Sequence, residues 1–220
     1  MATSILLANK GLRMGSDMSS AKFHLMKLCM LLLPLMALSA CSKTVQWEEE
    51  VPLNTGEVIW VKRTVVYSLK GGAGNPLDTA YRPEKDQAIE FTWHGKSYHY
   101  KGEAWIMLLA ISPRGQPVLV APAENNSWNW RYQYLCTVPF YVELVSDEAG
   151  KNWTWPASVE AWLYNLPTNL LQDIGNPERM RARYSNAEKM SQPFWADPYS
   201  RYLQKIDPAF TGDLCKKKDK

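Results

Sequence analysis

Most of the chemistry open to this 220-residue chain rests on its ten tryptophans, four cysteines and three histidines. Two Trp-x-Trp motifs stand out, Trp128-Asn129-Trp130 and Trp153-Thr154-Trp155. In an extended segment residues two apart share a face, so each motif offers two indole rings side by side. Such a platform stacks on sugar rings or holds an apolar peptide. The competing reading is core or cross-strand packing, which a chain this rich in aromatics needs anyway. His94 and His99 fall in one short unit, Glu90 to Lys101 (EFTWHGKSYHYK), which reads as a hairpin turning at Gly95-Lys96. That register pairs His94 with Ser97, Trp93 with Tyr98, Thr92 with His99 and Phe91 with Tyr100. Phe91, Trp93, Tyr98 and Tyr100 then form a core face, and both histidines lie diagonally on the polar face. A diagonal separation of about 7–8 Å, with no Asp or Cys nearby to complete a set, argues for solvated histidines over a metal pair. Cys136 with either histidine as nucleophile and base is a combination on paper only, and a structural Cys136 is the better reading. The sequence has no Gly-x-Ser-x-Gly, His-Glu-x-x-His, Cys-x-x-Cys or phosphate-binding glycine loop. No catalytic residue, cofactor or metal site is assigned.

A second group of residues concerns location. Lys27 precedes an eleven-residue apolar run, Leu28 to Leu38, followed by Ser39-Ala40-Cys41. The run is too short to span a bilayer and reads as the hydrophobic part of a secretory signal. Leu38-Ser39-Ala40-Cys41 resembles the lipobox of bacterial lipoprotein precursors. The resemblance implies cleavage before Cys41, lipidation of its thiol, and a bacterial envelope location with the membrane as a partner through the lipid anchor. Ser42 after the cysteine resembles the signal that sorts such proteins to the outer membrane, facing the periplasm. The alternative is a buried helix with Cys41 incidental. Residues 1–40 are thus read as a removed signal region, and Met18 or Met26 would each start a signal of more ordinary proportions than Met1 does. The stretch QWEEEVPLNTGEVIWVKR, ending at Arg63, resembles the opening of uncharacterised proteobacterial lipoproteins and implies no activity.

If the compartment is the periplasm, it is oxidising, and with Cys29 in the signal and Cys41 lipidated, Cys136 and Cys215 are the thiols left to pair. A buried inert Cys136 and an intermolecular bond through Cys215 are the alternatives. Charge points away from nucleic acid. Lys10, Arg13, Lys22, Lys27 and Asp17 precede Cys41, so of 25 basic and 22 acidic residues the chain from Cys41 onward keeps 21 of each. A neutral body has no electrostatic footprint for a polyanion.

The elements that must position these groups are mostly strands. Val45 to Leu53 alternates, Asn54-Thr55-Gly56 turns the chain, and Glu57 to Leu69 puts Ile59, Val61, Val65, Tyr67 and Leu69 on one face. Lys70 to Asp86, with three Gly and two Pro, reads as a long loop and a candidate rim for a site. Ala104 to Ile111 is apolar on both faces and reads as a central strand, followed by a type I turn at Ser112-Pro113-Arg114-Gly115 and a return over Gln116 to Ala121. Tyr132 to Leu144 alternates again, with Tyr132, Tyr134, Cys136, Val138, Phe140, Val142 and Leu144 inward and Pro139 marking an edge or bulge. Short helices are expected at Val159 to Leu163, Pro177 to Lys189 and Pro198 to Lys205. The expected fold is one mature domain, residues 41–220, mainly β (an antiparallel meander, sandwich or partly open barrel) with short helices near the C-terminus and a helical or irregular part over 164–220. The function classes that fit are a non-enzymatic lipoprotein with an envelope protein partner, a glycan or peptidoglycan binder using the Trp pairs, and a hydrolase with an unrecognised site.

Overall fold

The computed structural model describes residues 42–72, 75–125, 128–212 and 215; Cys41 and the signal region lie outside them. The domain is mainly β. Five strands form the first sheet: β1 (Ser42–Pro52), β2 (Val58–Gly72), β3 (Asn75–Trp93), β4 (Lys96–Gly102) and the two-residue β9 (Arg183–Tyr184), in the order β4-β3-β2-β1-β9. The second sheet is an antiparallel meander of β5 (Leu108–Ile111), β6 (Pro117–Pro122), β7 (Tyr141–Ser146) and β8 (Trp153–Thr154). Three short helices, α1 (Trp128–Gln133), α2 (Asn186–Met190) and α3 (Arg201–Gln204), and several 3₁₀ turns complete the described elements.

The two sheets face each other. Val51, Val61, Ile89, Phe91, Tyr98 and Tyr100 from the first pack against Leu109, Leu119, Val142 and Leu144 from the second, with Ile106 just ahead of β5 in the same cluster. The second sheet is buried on its far face too, where Leu108, Val118, Val120 and Tyr141 meet Val159, Leu163 and Ile206. That is why β5 and β6 read as unbroken apolar runs and not as alternations. Ala104 to Ile111, expected as a central strand, is strand only from Leu108, and β5 lies at the edge of its sheet, where two asparagine side chains close the open ladder. Asn169 accepts from Leu109 N at 2.9 Å and donates to Leu109 O at 2.7 Å, while Asn54 accepts from Ile111 N at 2.7 Å and donates to Ile111 O at 2.8 Å. Each amide does what a neighbouring strand's peptide would do, so the open ladder is satisfied without another strand.

Four further expectations need correction. The β3–β4 hairpin turns at His94-Gly95, not Gly95-Lys96, and pairs Phe91 with Tyr98, Thr92 with Ser97 and Trp93 with Lys96. Positive φ at both His94 (48°) and Gly95 (74°) is the signature of a type I′ turn, whose twist matches the flanking strands. The shift moves partners by two residues, so the aromatic face survives, but Trp93 ends half-buried at its margin. Residues 70–86 are not a loop: β2 and β3 run on as a ribbon pairing Leu69 with Tyr81 and Gly71 with Thr79, with Pro83 placed at a register shift where a missing N–H costs no ladder bond. Tyr132 to Leu144 is not one strand. Tyr134 N donates to Trp130 O in a helical turn, the Val138–Pro139 bond is cis, and only Tyr141–Ser146 enters the sheet. Tyr134, Phe140, Val142 and Leu144 are buried as expected, whereas Tyr132, Cys136 and Val138 are exposed. Of the expected helices, Pro177 to Lys189 is mostly irregular and carries β9; its helical part starts only at Asn186, after a Ser185/Glu188 capping box. Ala161–Leu163 is a 3₁₀ turn, and Pro198–Ser200 leads into α3.

The core also holds charge. Glu49 and Arg63 are fully buried and Lys189 is 1 % exposed. Glu49 Oε1 accepts from Arg63 Nη1 at 3.3 Å and from Trp47 Nε1 at 3.2 Å, and Oε2 accepts from Leu171 N at 2.7 Å and faces Lys189 Nζ at 3.1 Å. Removing one member of such a cluster leaves the others buried and uncompensated, a loss of about 3–5 kcal/mol. Glu49→Gln is therefore expected to destabilise the domain by about 3–5 kcal/mol in urea unfolding at neutral pH. Lys189→Met, which leaves the Glu49–Arg63 pair intact, should cost clearly less. A harmless Glu49→Gln, or a costlier Lys189→Met, would contradict this assignment.

Candidate functional site

Of the four tryptophans expected to form platforms, the structure pairs two, and across the motifs. The first motif lies on helix α1 and not on an extended segment, so the spacing argument for a shared face does not apply to it. The side chain of Trp128 lies outside the described residues. In the second motif, Trp153 turns toward the sandwich. Its Nε1 donates to His99 O at 2.8 Å and its ring meets Tyr100 edge-on at 5.9 Å. Together with His99 N donating to Gly150 O at 3.0 Å, this seam joins the second sheet to edge strand β4. Gly150 is needed there: it sits at φ 74°, and a Cβ would fall 2.6 Å from Ser97 O. Trp153 is thus a structural residue.

Trp155 is 48 % exposed, and its ring meets that of Trp130 edge-to-face at 4.8 Å. Trp130 in turn stacks on Tyr134 at 6.4 Å. The Tyr134 hydroxyl donates to Pro156 O at 2.6 Å, which fixes the backbone just after Trp155, and burial pushes this phenol up to about 12. A rigid exposed indole backed by two further rings is what remains of the platform.

A broader feature lies on the outer face of the first sheet, a groove of about 720 Å³ lined by Glu48, Trp60, Lys62, Glu90, His99 and Lys151 among others. Its charges are matched sideways. Lys62 and His99 reach Glu90 at 3.5 and 3.6 Å, and Arg183 holds Glu48 at 2.7 Å while lying 4.2 Å over the Trp60 ring. The two histidines accordingly have separate partners: His94 Nε2 pairs with Glu57 Oε1 at 2.9 Å. Hydrogen bonds from Trp93, then His94 and Thr55, hold the Glu57 carboxyl below the usual range.

Cys136 and Cys215 form a disulfide, with Cα atoms 5.3 Å apart. This removes Cys136 as a thiol nucleophile and excludes its pairing with either histidine for catalysis. The remaining arrangement with acid–base character is Glu143 beside Glu160. Glu143 is 1 % exposed, and its carboxyl is raised, first by burial and further by the nearby Glu160 charge, against the hydrogen bond from Glu160 N at 2.8 Å. Glu160 is occupied by Trp162 Nε1 at 3.0 Å and Arg114 at 3.5 Å. Glu143 is enclosed in the sheet at β7.

A carboxyl raised by folding contributes stability in full below its unfolded pKa of about 4.3 and loses it as pH rises through the higher folded value. Glu143→Gln keeps an acceptor for Glu160 N and does not ionise. The variant is therefore expected to gain stability relative to the parent as pH goes from 4 toward 7, measured as the difference in unfolding free energy in denaturant. A difference that is flat, or slopes the other way, would show that Glu143 is not raised.

Sequence reasoning missed Trp60 with Arg183, and Glu143, because the first needs a contact between β2 and β9 and the second sits in a run whose alternation places it outward. Comparison with known proteins finds no matching family model, no matching curated protein and no matching solved structure.

Proposed function

We propose that the chain is a lipid-anchored envelope lipoprotein, facing the periplasm of a bacterial cell, whose domain serves a binding or structural role and not catalysis. The observation that carries this reading is the run Leu38-Ser39-Ala40-Cys41 placed directly before the first strand, so that cleavage ahead of Cys41 would release a domain beginning with its own sheet. The Cys136–Cys215 disulfide is consistent with an oxidising compartment. Among the described residues no helix is long and apolar enough to cross a membrane, so attachment in this reading rests on the lipid. Acyl chains contribute about 0.8 kcal/mol per buried methylene, and two or more hold a protein where one does so only reversibly. Cys41→Ala is expected to yield an uncleaved precursor or a soluble product in fractionated cells, with no acyl mass on the amino terminus. A Cys41→Ala chain that still matures and stays in the membrane fraction would refute the reading.

A second reading has a specific observation in its favour. The exposed Trp155 ring, braced by Trp130, has the form of a sugar-stacking surface, and the partner would then be a glycan such as peptidoglycan. In that case the soluble domain binds isolated sacculi and Trp155→Ala abolishes binding without changing the unfolding midpoint. Equal retention of parent and variant would rule this surface out.

A further inference from the structure

The ladder of the first sheet begins at Ser42, the residue after Cys41, and Ser42 pairs with Ser68, which pairs in turn with Arg82. β1 runs away from Cys41 toward Pro52, and β2 runs back antiparallel to it. β2 does not stop opposite Ser42. It continues through Leu69, Lys70, Gly71 and Gly72, paired with β3 as far as Gly72–Asn75. Four residues at about 3.3 Å each carry this ribbon about 13 Å past the start of β1, in the direction from which β1 comes. Resting on the reading of Cys41 as acylated, this has a geometric consequence. One peptide link, about 3.8 Å between Cα atoms, separates the lipidated residue from the paired strand. No linker is available to lift the ribbon off the bilayer.

We propose that the outer part of the β2–β3 ribbon, Leu69 to Gly71 with Thr79 and Ala80, is a second membrane contact, seated in the interfacial region of the bilayer. The side chains support this. Tyr67 is fully buried, Leu69 one step further out on the same face is 41 % exposed, and Gly71, Thr79 and Ala80 are exposed, so beyond Tyr67 the ribbon leaves the core with small and apolar residues on its surface. Leu69, Lys70 and Gly71 pair across the ribbon with Tyr81, Ala80 and Thr79, which satisfies about half of its backbone polar groups, while the open outer edges hold the contact at the interface and out of the hydrocarbon. Charge does not drive the contact. Lys70 to Asp86 holds three basic residues (Lys70, Arg82, Lys85) and three acidic ones (Asp78, Glu84, Asp86), and Lys70 is already paired with Glu84 at 3.2 Å. The surface recognised is therefore the bilayer interface itself, zwitterionic or anionic alike.

The protein permits a clean test, because Cys41 is acylated and Cys136 and Cys215 are bridged in the mature form, leaving a single introduced cysteine as the thiol to label. Nitroxide is attached to Leu69→Cys, to Thr79→Cys and to Thr55→Cys in the turn at the far end of β1, in acylated protein reconstituted into phosphatidylethanolamine/phosphatidylglycerol vesicles. Flotation is checked first. In floating protein the labels at 69 and 79 are expected to collide several-fold more with oxygen than with a water-soluble nickel chelate, compared with the same sites in the soluble fraction of a Cys41→Ala chain that also carries Cys29→Ala, so that an uncut signal adds no second thiol. The label at 55 should not change. Floating protein whose 69 and 79 labels stay water-exposed overturns the second contact while leaving the anchor intact. Protein that does not float overturns both. A lipid contact at 69 that vanishes in high salt or without phosphatidylglycerol overturns the apolar contact in favour of charge attraction.

Discussion

A single buried carboxylate, Glu49, organises the molecule. It stands on β1 opposite Val61, two pairs along from Trp47 and Arg63, and all three of these face the interior. Around it gather Arg63, with its guanidinium 5.1 Å from the Trp47 ring, and Lys189 from α2. The further donor bonds go elsewhere: Arg63 Nη1 also reaches Leu171 O at 2.8 Å, Arg63 Nη2 donates to Gln87 Oε1 at 3.0 Å, and Lys189 Nζ reaches Asn169 O. One anion faces two cations, and burial pushes the Lys189 ammonium below its usual range against the opposing pull of Glu49. Satisfaction is incomplete, since Arg63 Nε and Gln87 Nε2 have no partner. By the usual weighing of desolvation against Coulomb energy, such a cluster adds little net stability over an apolar core of equal volume. Its effect is on uniqueness. A slip of β1 by one residue would turn Glu49 to solvent and leave Arg63 and Lys189 buried without it, so the register of the sheet and the docking of a segment some 120 residues later are set by the same group.

That coupling matters because the C-terminal part is poor in regular structure, and its backbone groups must find partners elsewhere. The strands supply them through aromatic side chains. Tyr67 donates to Ile174 O at 2.7 Å and Tyr141 to Tyr202 O at 2.8 Å. Trp195 does the same to Lys189 O from within the segment, and Thr168 Oγ1 to Leu203 O. A tyrosine or tryptophan buries an apolar body and still delivers one donor at its tip, which is what an irregular layer over a sheet requires. The high aromatic content of the chain is explained by this division of labour better than by a ligand platform, and half-buried Trp153, which donates to His99 O, is a clear case.

How much of this was legible in the residues follows the same physics. Period-two alternation located β1, β2 and β4, and the β5–β6 pair was visible as two apolar stretches joined by a turn. Alternation failed over Tyr132 to Leu144 because Trp130 and Tyr134, four apart, satisfy a helical turn as well as a strand, and the choice is made by tertiary contacts with Trp155 and Pro156. It failed over residues 70–86 because glycine and proline were weighed as breakers, whereas Pro83 sits where the ladder already shifts. The inward position of Glu49 was in the pattern, but Arg63 opposite Trp47 was not assigned to a face, and Lys189 enters only through chain reversal. The Ser185-Asn186-Ala187-Glu188 capping box was a local signal for the start of α2 that a longer helix from Pro177 obscured. Lipidation of Cys41 stays on the sequence alone, since it lies outside the described residues.

The disulfide completes the logic of the C-terminal layer at its other end. Cys136 sits at φ 67° in the irregular stretch between α1 and β7, and Cys215 lies 79 residues later. Closing a loop of that length removes about 4–5 kcal/mol of chain entropy from the unfolded state on the loop-closure model. The bond does not act alone. Phe140 N donates to Phe210 O at 2.8 Å, Phe210 stacks on Tyr202 at 4.4 Å, and Gly212 lies so close to the Phe140 ring that a Cβ would approach it to 3.0 Å. The layer is therefore held at two separated places by different chemistry, an ionic cluster near Lys189 and a covalent bond with aromatic packing near Cys215. Between them the chain needs only side-chain-to-backbone bonds to keep its path. The ionic site specifies which register of the first sheet is covered, and the covalent site makes release of the cover unfavourable, so neither a long helix nor a further strand is required to shield the second sheet.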